Sequence, residues 1–291
     1  MDIPLPPEIT ESEMKKCRDT GDYCPVLFEW YKYVGLIANF YASIQKESPA
    51  IKDISKIHYS ILIGLLNRCS RLMLSNVALS HKGLFGETTS IIDRSIFESG
   101  IKLAWLCHKG DDDSFTRFIA DGLKTELEFK KKIEANIGKR SEEKLVIENR
   151  MLASINNYIH KSELTEEQIS ASKKLPDMAS MINVIGKDRL AYIVGQKIGS
   201  HHVHGTWVSL WFHYLEEHDD GVIHLRDHNC ETHVNQYAYI SLVVLDSIKT
   251  FVEYVCKGLN DIQGMTKLVV AVSEEIQKVY SEVVGSDFDM M

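Results

Sequence analysis

The chain has no CxxC pair, and its six cysteines, Cys17, Cys24, Cys69, Cys107, Cys230 and Cys256, follow no framework spacing. That argues against a disulfide-stapled fold and a cysteine-built zinc site, and reduced thiols in a cytoplasmic protein are the expectation. Long hydrophobic runs are missing too. The stretch from Ile240 to Leu245 stops at Asp246, far short of the ~20 residues a spanning helix needs, so no membrane partner is expected. The opening residues, Met1-Asp2-Ile3-Pro4-Leu5-Pro6-Pro7-Glu8, hold no basic segment leading into an apolar one, and no secretory signal is expected there. Positive charge is not in excess either. A formal charge of −8 argues against a broad, unspecific grip on phosphate backbones, while a local basic patch could still hold RNA or a nucleotide. No complete metal, nucleotide or nucleophile motif occurs, so no cofactor is implied.

What is present is an ordinary globular composition, 44% hydrophobic and 25% charged over 291 residues, enough for a sizeable core. The predicted fold class is all-α: one multi-helix domain with a long polar helical hairpin and a short strand-like loop. Residues 1–22, with three prolines among charged groups, are expected to form a flexible arm. A helical domain over 23–284 follows, and 285–291 is expected to fray. Apolar residues at helical spacing predict helices over Pro25–Glu47, Asp53–His81, Glu87–His108 and, after the acidic turn at 109–114, up to about Ala135. The polar hairpin spans 141–174 and carries a capping-box pattern at Thr165-Glu166-Glu167-Gln168. Its basic clusters, Lys130-Lys131-Lys132 just before it and Lys173-Lys174 at its end, read as solvated faces. Further helices are predicted over Asp177–Ile185, Val208–Glu217, Glu231–Leu259 and Met265–Val284. Val222–Arg226 is too short for a helix and reads as a strand-like loop.

Two features carry chemistry. On the helix Glu87–His108, Glu87, Ile91, Arg94, Glu98, Ile101 and Trp105 fall within ~40° of one line at ~100° per residue. The opposite face is apolar as well, so Glu87, Arg94 and Glu98 become candidate buried polar groups. Arg94 and Glu98 stand one turn apart and can form a charge-assisted pair. Such a pair can simply fix helix packing. It can also place a carboxylate in a cavity as acid, base or ligand.

The second feature is histidine. Of the twelve, eight lie between His201 and His233, three of them in Ser200-His201-His202-Val203-His204-Gly205, with His213 close behind as a fourth. Ser200 and His204 would stack one turn apart, but no oxyanion donors or orienting partner for a nucleophile are visible. His202 and His204 can chelate a metal with Glu87, Glu98 or a later histidine, although no HExxH or paired ExxH supports it. The plainer account packs His204 at a buried helix junction, bonded to backbone or to Glu98. Arg226-Asp227-His228-Asn229-Cys230-Glu231-Thr232-His233 adds an arginine and a histidine just where a long helix begins.

That last pattern resembles the Arg-x(4 to 6)-His element of the HEPN ribonucleases, helical proteins of prokaryotic toxin and antiphage systems that cleave RNA at a dimer interface. The resemblance implies that Arg226 stabilises phosphate charge and His233 transfers protons, with Asp227 or Asn229 assisting, in a homodimer. A wider resemblance rests on Arg94-Ser95-Ile96-Phe97-Glu98 followed by Ser200 and His204-Gly205-Thr206. In these the chain resembles the bacterial family catalogued as domain of unknown function 5677, over roughly Tyr31 to Leu259. It implies an all-helical fold that brings Arg94, Glu98 and His204 together, and it implies no reaction. His201 and His202 lie outside that pattern and have the least support.

The expected site is therefore a polar pocket of Glu87, Arg94, Glu98 and His204, with Arg226 and His233 second. Three functional readings stay open. The first is an RNA-directed, ribonuclease-like toxin or antiphage defence effector acting through His204 or through Arg226 and His233. The second is a non-enzymatic interaction or sensor module, with a buried Arg94, Glu98 and His204 network and a protein partner on the polar hairpin. The third is a metal-dependent hydrolase.

Overall fold

The computed structural model describes residues 3–140, 144–226 and 230–285. Helices dominate in chain order: α1 Glu11–Thr20, α2 Cys24–Ala42, α3 Lys56–Ser80, α4 Gly86–Lys109, α5 Asp112–Arg140, α6 Val146–Ser162, α7 Glu166–Ala171, α8 Met178–Val184 and α9 Arg189–Tyr192. A π-helical stretch, Ile193–Ile198, then leads into α10 Gly199–His204 and α11 Trp207–His213. After the strands β1 Leu215–Glu217 and β2 Ile223–Leu225 come α12 Val234–Val255 and α13 Leu259–Val284. The all-α class holds. The strand-like loop is β2, which pairs antiparallel with β1 in the register Leu215↔Leu225.

Where boundaries differ from the sequence pattern, local hydrogen bonds explain them. The helix expected up to Glu217 stops at His213, because the turn at His218–Gly221, with Gly221 at φ 75°, commits the residues before it to β1. A flexible arm was expected over 1–22, yet Glu11–Thr20 is helical. Thr10 caps it by accepting from the Glu13 N–H at 3.2 Å, Glu13 returns the bond, and Gly21 at φ 72° ends it. Arg18 and Tyr23 both donate to Glu282 of α13, at 2.9 and 3.1 Å, which ties the segment down.

One domain was expected, and the chain divides into two compact units. The smaller, Lys109–Asp177, contains α5, α6 and α7. Ala120, Leu123 and Leu127 pack on Ile169, and Ile133 packs on Leu152 and Ile155. Lys130 donates to Glu166 at 2.6 Å, and the capping box of Thr165 and Gln168 is present. The expected start of the polar hairpin at Ser141 and the expected tail after Gly285 lie outside the described residues.

The larger unit, Met1–His108 with Met178–Met291, contains the remaining helices. Its core is built on α2, α3, α4 and α12. Gly35 lets α3 approach α2 so closely that a Cβ there would stand 3.3 Å from Met73 Cβ. Four helices meet at one carboxylate. Asp93 of α4 accepts from Tyr31 of α2 at 3.1 Å, Asn76 of α3 at 2.7 Å and Gln236 of α12 at 2.8 Å. Burial pushes Asp93 up to about 7, against the downward pull of those three donors. No helix among the described residues is long and apolar enough to cross a membrane.

Candidate metal centre

Glu87 stands in the first turn of α4, next to Gly86. Its Oε1 accepts from Ser209 Oγ at 2.7 Å, and its Oε2 accepts from the Tyr214 hydroxyl. Ser209 and His213 lie one turn apart on α11, so both point inward from a single face. His202 arrives from α10 with Nδ1 4.0 Å from Glu87 Oε1. The His202 and His213 rings meet edge to face, centroids 5.2 Å apart. One ligand atom from each of Glu87, His202 and His213 lies within 4.8 Å of the others.

The path of α10 explains why His202 reaches this place. The π stretch and α10 run opposite to α4: Gln196 donates to Glu98 at 2.9 Å, Gly199 faces Arg94, and His202 faces Glu87. Two glycines make the approach close enough. A Cβ on Gly195 would fall 2.3 Å from the Phe97 ring, and one on Gly199 would fall 3.1 Å from Arg94 Cβ.

The cluster is sheltered but not sealed. His213 is 4% exposed, while the side chains of His202 and Glu87 retain 17% and 19%. His202 Nδ1 is buried without a hydrogen-bond partner among the described residues. Burial pulls the His202 pKa down, helped by His213, and the attraction of Glu87 only partly offsets this. A neutral imidazole is the form that ligates a metal. For Glu87 burial acts upward, but the bonds from Tyr214 and Ser209, together with His213 and His202, outweigh it and lower the pKa. A deprotonated carboxylate beside two imidazoles is the donor set that zinc, iron and manganese accept.

The residues expected from sequence divide. Arg94 and Glu98 pair as anticipated, Nε to Oε1 at 3.1 Å, and Arg94 Nη1 is buried without a hydrogen bond among the described residues. His204 does not join them. It is exposed on α10, and Glu98 takes Gln196 as its second donor. The residue that reaches the site is His202, which with His201 has the least support in the sequence; the π-helical stretch before α10 sets the register in which that helix meets α4. Ser200 donates back to Gln196 O at 2.7 Å, and His201 Nδ1 lies 2.7 Å from Thr206 Oγ1. Arg226 donates through its N–H to Tyr214 O at 2.9 Å and through Nη1 to Phe212 O at 3.3 Å. His233 is the exposed N-cap of α12, its Nδ1 accepting from Asn235 N–H at 3.2 Å. No hydrogen bond or ion pair among the described residues joins Arg226 to His233, and the expected assistants Asp227 and Asn229 lie outside those residues.

Ser209, Tyr214 and Cys230 escaped the sequence reading, and His213 entered it only as an unspecified later histidine. Their signal was the Ser209 and His213 spacing, hidden because α11 turns its apolar residues outward: Trp207, Val208 and Phe212 are 63%, 54% and 55% exposed.

A model described as a family of unknown function, DUF5677, matches residues 59–222, more than half of the chain. The chain belongs to that family. The DUF5677 match is narrower than the span from Tyr31 to Leu259 that the motif resemblance suggested, yet it contains Glu87, Arg94, Glu98, His202 and His213. Arg226, Cys230 and His233 lie beyond the matched DUF5677 residues. No curated protein and no solved structure matches the chain.

Proposed function

We propose that the protein is a metal-dependent hydrolase whose divalent ion is held by Glu87, His202 and His213. The observation that carries this reading is the convergence of a carboxylate and two imidazoles with ligand atoms within 4.8 Å, beside a buried His202 Nδ1 that has no hydrogen bond among the described residues. Ligands ~2.1 Å from a tetrahedral ion lie ~3.4 Å apart. The 4.0 Å between His202 and Glu87 is close enough for small side-chain rotations to complete the site. Three protein ligands leave a position for water, and an ion there lowers the pKa of that water towards ~7. Held by Glu87, His202 and His213, such an ion would supply Lewis-acid activation of water for attack on an ester, amide or phosphoester centre, with the leaving group departing protonated. An RNA-directed, ribonuclease-like toxin or defence activity through Arg226 and His233 rests on resemblance alone, so the metal cluster is the better-supported basis.

Metal titration of untagged protein, followed by assays on carboxylester and phosphodiester substrates, tests the reading. One bound zinc or manganese ion is expected, with binding and hydrolysis both lost in Glu87→Gln and His202→Ala. An untagged protein that binds no stoichiometric ion would overturn it.

The outward apolar face of α11 supports a second reading, an interaction role that pairs two copies of the chain. Trp207 and Trp211 stack with centroids 5.5 Å apart on that exposed face, a larger apolar feature than scattered single residues. Sedimentation should then show a dimer that Trp207→Asp with Trp211→Asp dissolves. A monomer at every concentration counts against it.

A further inference from the structure

Cys230 approaches the metal cluster from behind His213. Its Sγ lies 3.9 Å from His213 Nδ1, a contact within reach of a weak sulfur hydrogen bond. The backbone fixes this approach. The Gly86 N–H donates to Cys230 O at 2.8 Å, and Phe85 and Cys230 form a parallel bridge. A Cβ on Gly86 would stand 2.8 Å from Cys230 Sγ and 2.4 Å from Glu231 O. Glycine at the start of α4 is therefore what admits the thiol, one residue before the ligand Glu87. Arg226, through its bonds to Tyr214 O and Phe212 O, grips the carbonyls on either side of His213. His213 is thus held by its backbone from Arg226 and approached at its ring by Cys230.

The two nitrogens of an imidazole point in different directions, so a sulfur at Nδ1 cannot share an ion bound at Nε2. It can decide which nitrogen carries the proton. A metal-ligating histidine needs its second N–H engaged by an outer acceptor, because that bond sets both the tautomer and the ring orientation. We infer that Cys230 is the positioning residue of His213: its sulfur accepts the Nδ1 proton and so turns the Nε2 lone pair towards Glu87 and His202. The consequence for metal affinity rests on the metal reading proposed above. The tautomer itself does not depend on that reading.

The test compares the full chain with its Cys230→Ala and Cys230→Ser variants by zinc and cobalt titration and by the ring nitrogen shifts of His213 in metal-free protein at fixed pH. Loss of an outer partner should weaken binding by ~10–100-fold in Cys230→Ala. The Nε2-protonated form of His213 should rise in the same variant. In Cys230→Ser the hydroxyl can accept the same proton, so most of the affinity and the original tautomer should return. A merely structural role would leave the His213 tautomer unmoved. Equal metal affinity and an unchanged tautomer in Cys230→Ala would overturn the inference while leaving the metal centre standing. Absence of ion binding in the unsubstituted protein overturns the metal reading instead. The nitrogen shifts then still decide the role of Cys230: a tautomer that moves in Cys230→Ala supports it, and one that does not overturns it.

Discussion

Two carboxylates on α4, Glu87 and Asp93, stand six residues apart and live in opposite surroundings. Asp93 is enclosed by donors from three other helices, and burial lifts its pKa to about 7. Glu87 sits at the helix start, keeps part of its surface in water, and faces two imidazoles that, with Tyr214 and Ser209, pull its pKa down. The contrast teaches that burial of a carboxylate does not mark a reactive site. A fully partnered acid ties helices together, whereas a partly partnered one beside an unbonded imidazole has bonding capacity to spare for an ion.

Substitutions should separate the two roles. In the proposed metal centre Glu87→Ala removes a ligand, so metal affinity should fall by more than ~100-fold, beyond the cost of losing an outer-shell partner, with little change in urea midpoint. Asp93→Ala should do the reverse. It takes the acceptor from the Tyr31 hydroxyl and one acceptor each from Asn76 and Gln236, which keep Thr89 O and Ser90 Oγ, and at ~1–3 kcal/mol for a buried unsatisfied group the loss should reach about 3 kcal/mol. An Asp93→Ala protein that keeps its stability but loses metal would break the comparison.

Next in size is the close approach of α10 to α4. Gly195→Ala forces a methyl into the Phe97 ring, and overpacking of that kind costs about 1–3 kcal/mol. Thermal melting should fall and metal affinity with it, because the π-helical stretch that holds Gly195 leads directly into α10, which carries His202. A Gly195→Ala protein with unchanged metal affinity would uncouple the two.

The pH dependence of stability sharpens the Asp93 side. Its folded pKa of about 7 lies above the ordinary 3.8, so between those values the folded state holds a proton that the unfolded chain has released. The stabilising contribution is complete below the lower value and is lost as pH rises through the upper one. Asp93→Asn cannot titrate, so the stability gap between it and the unsubstituted protein should be narrower at pH 8 than at pH 5. A gap of constant size in urea titrations at both pH values would contradict this. The smallest effect belongs to His204→Ala, which should change stability by no more than ~0.5 kcal/mol and leave metal binding intact, since His204 is exposed.

Much of the fold was legible because apolar spacing on α2, α3, α4 and α12 matches their buried faces. Helix α4 and its Arg94 and Glu98 pair followed from angular placement alone. The short strand after Val222 followed from its length and the turn before it. The rest escaped for physical reasons. Asp93 shares a helix with louder charges, and its partners lie 62, 17 and 143 residues away, separations at which a helical wheel carries no information. His213 sits on a helix whose apolar residues face outward, which inverts the usual rule for finding the inside. Sequence favours His204 over His202 because the family pattern contains His204-Gly205-Thr206 and leaves His202 out, whereas the π-helical stretch Ile193–Ile198 decides how α10 meets α4.

That π-helical stretch has a bearing on comparison with relatives. It acts as a hidden spacer: the chain spends extra length on one turn without interrupting the helix. A relative with an ordinary α-turn at Ile193–Ile198 would align here residue for residue, yet present a different histidine to its first helical carboxylate. Matching such relatives by position would pair residues that point in different directions, so equivalence between their sites has to be judged by which imidazole faces the counterpart of Glu87.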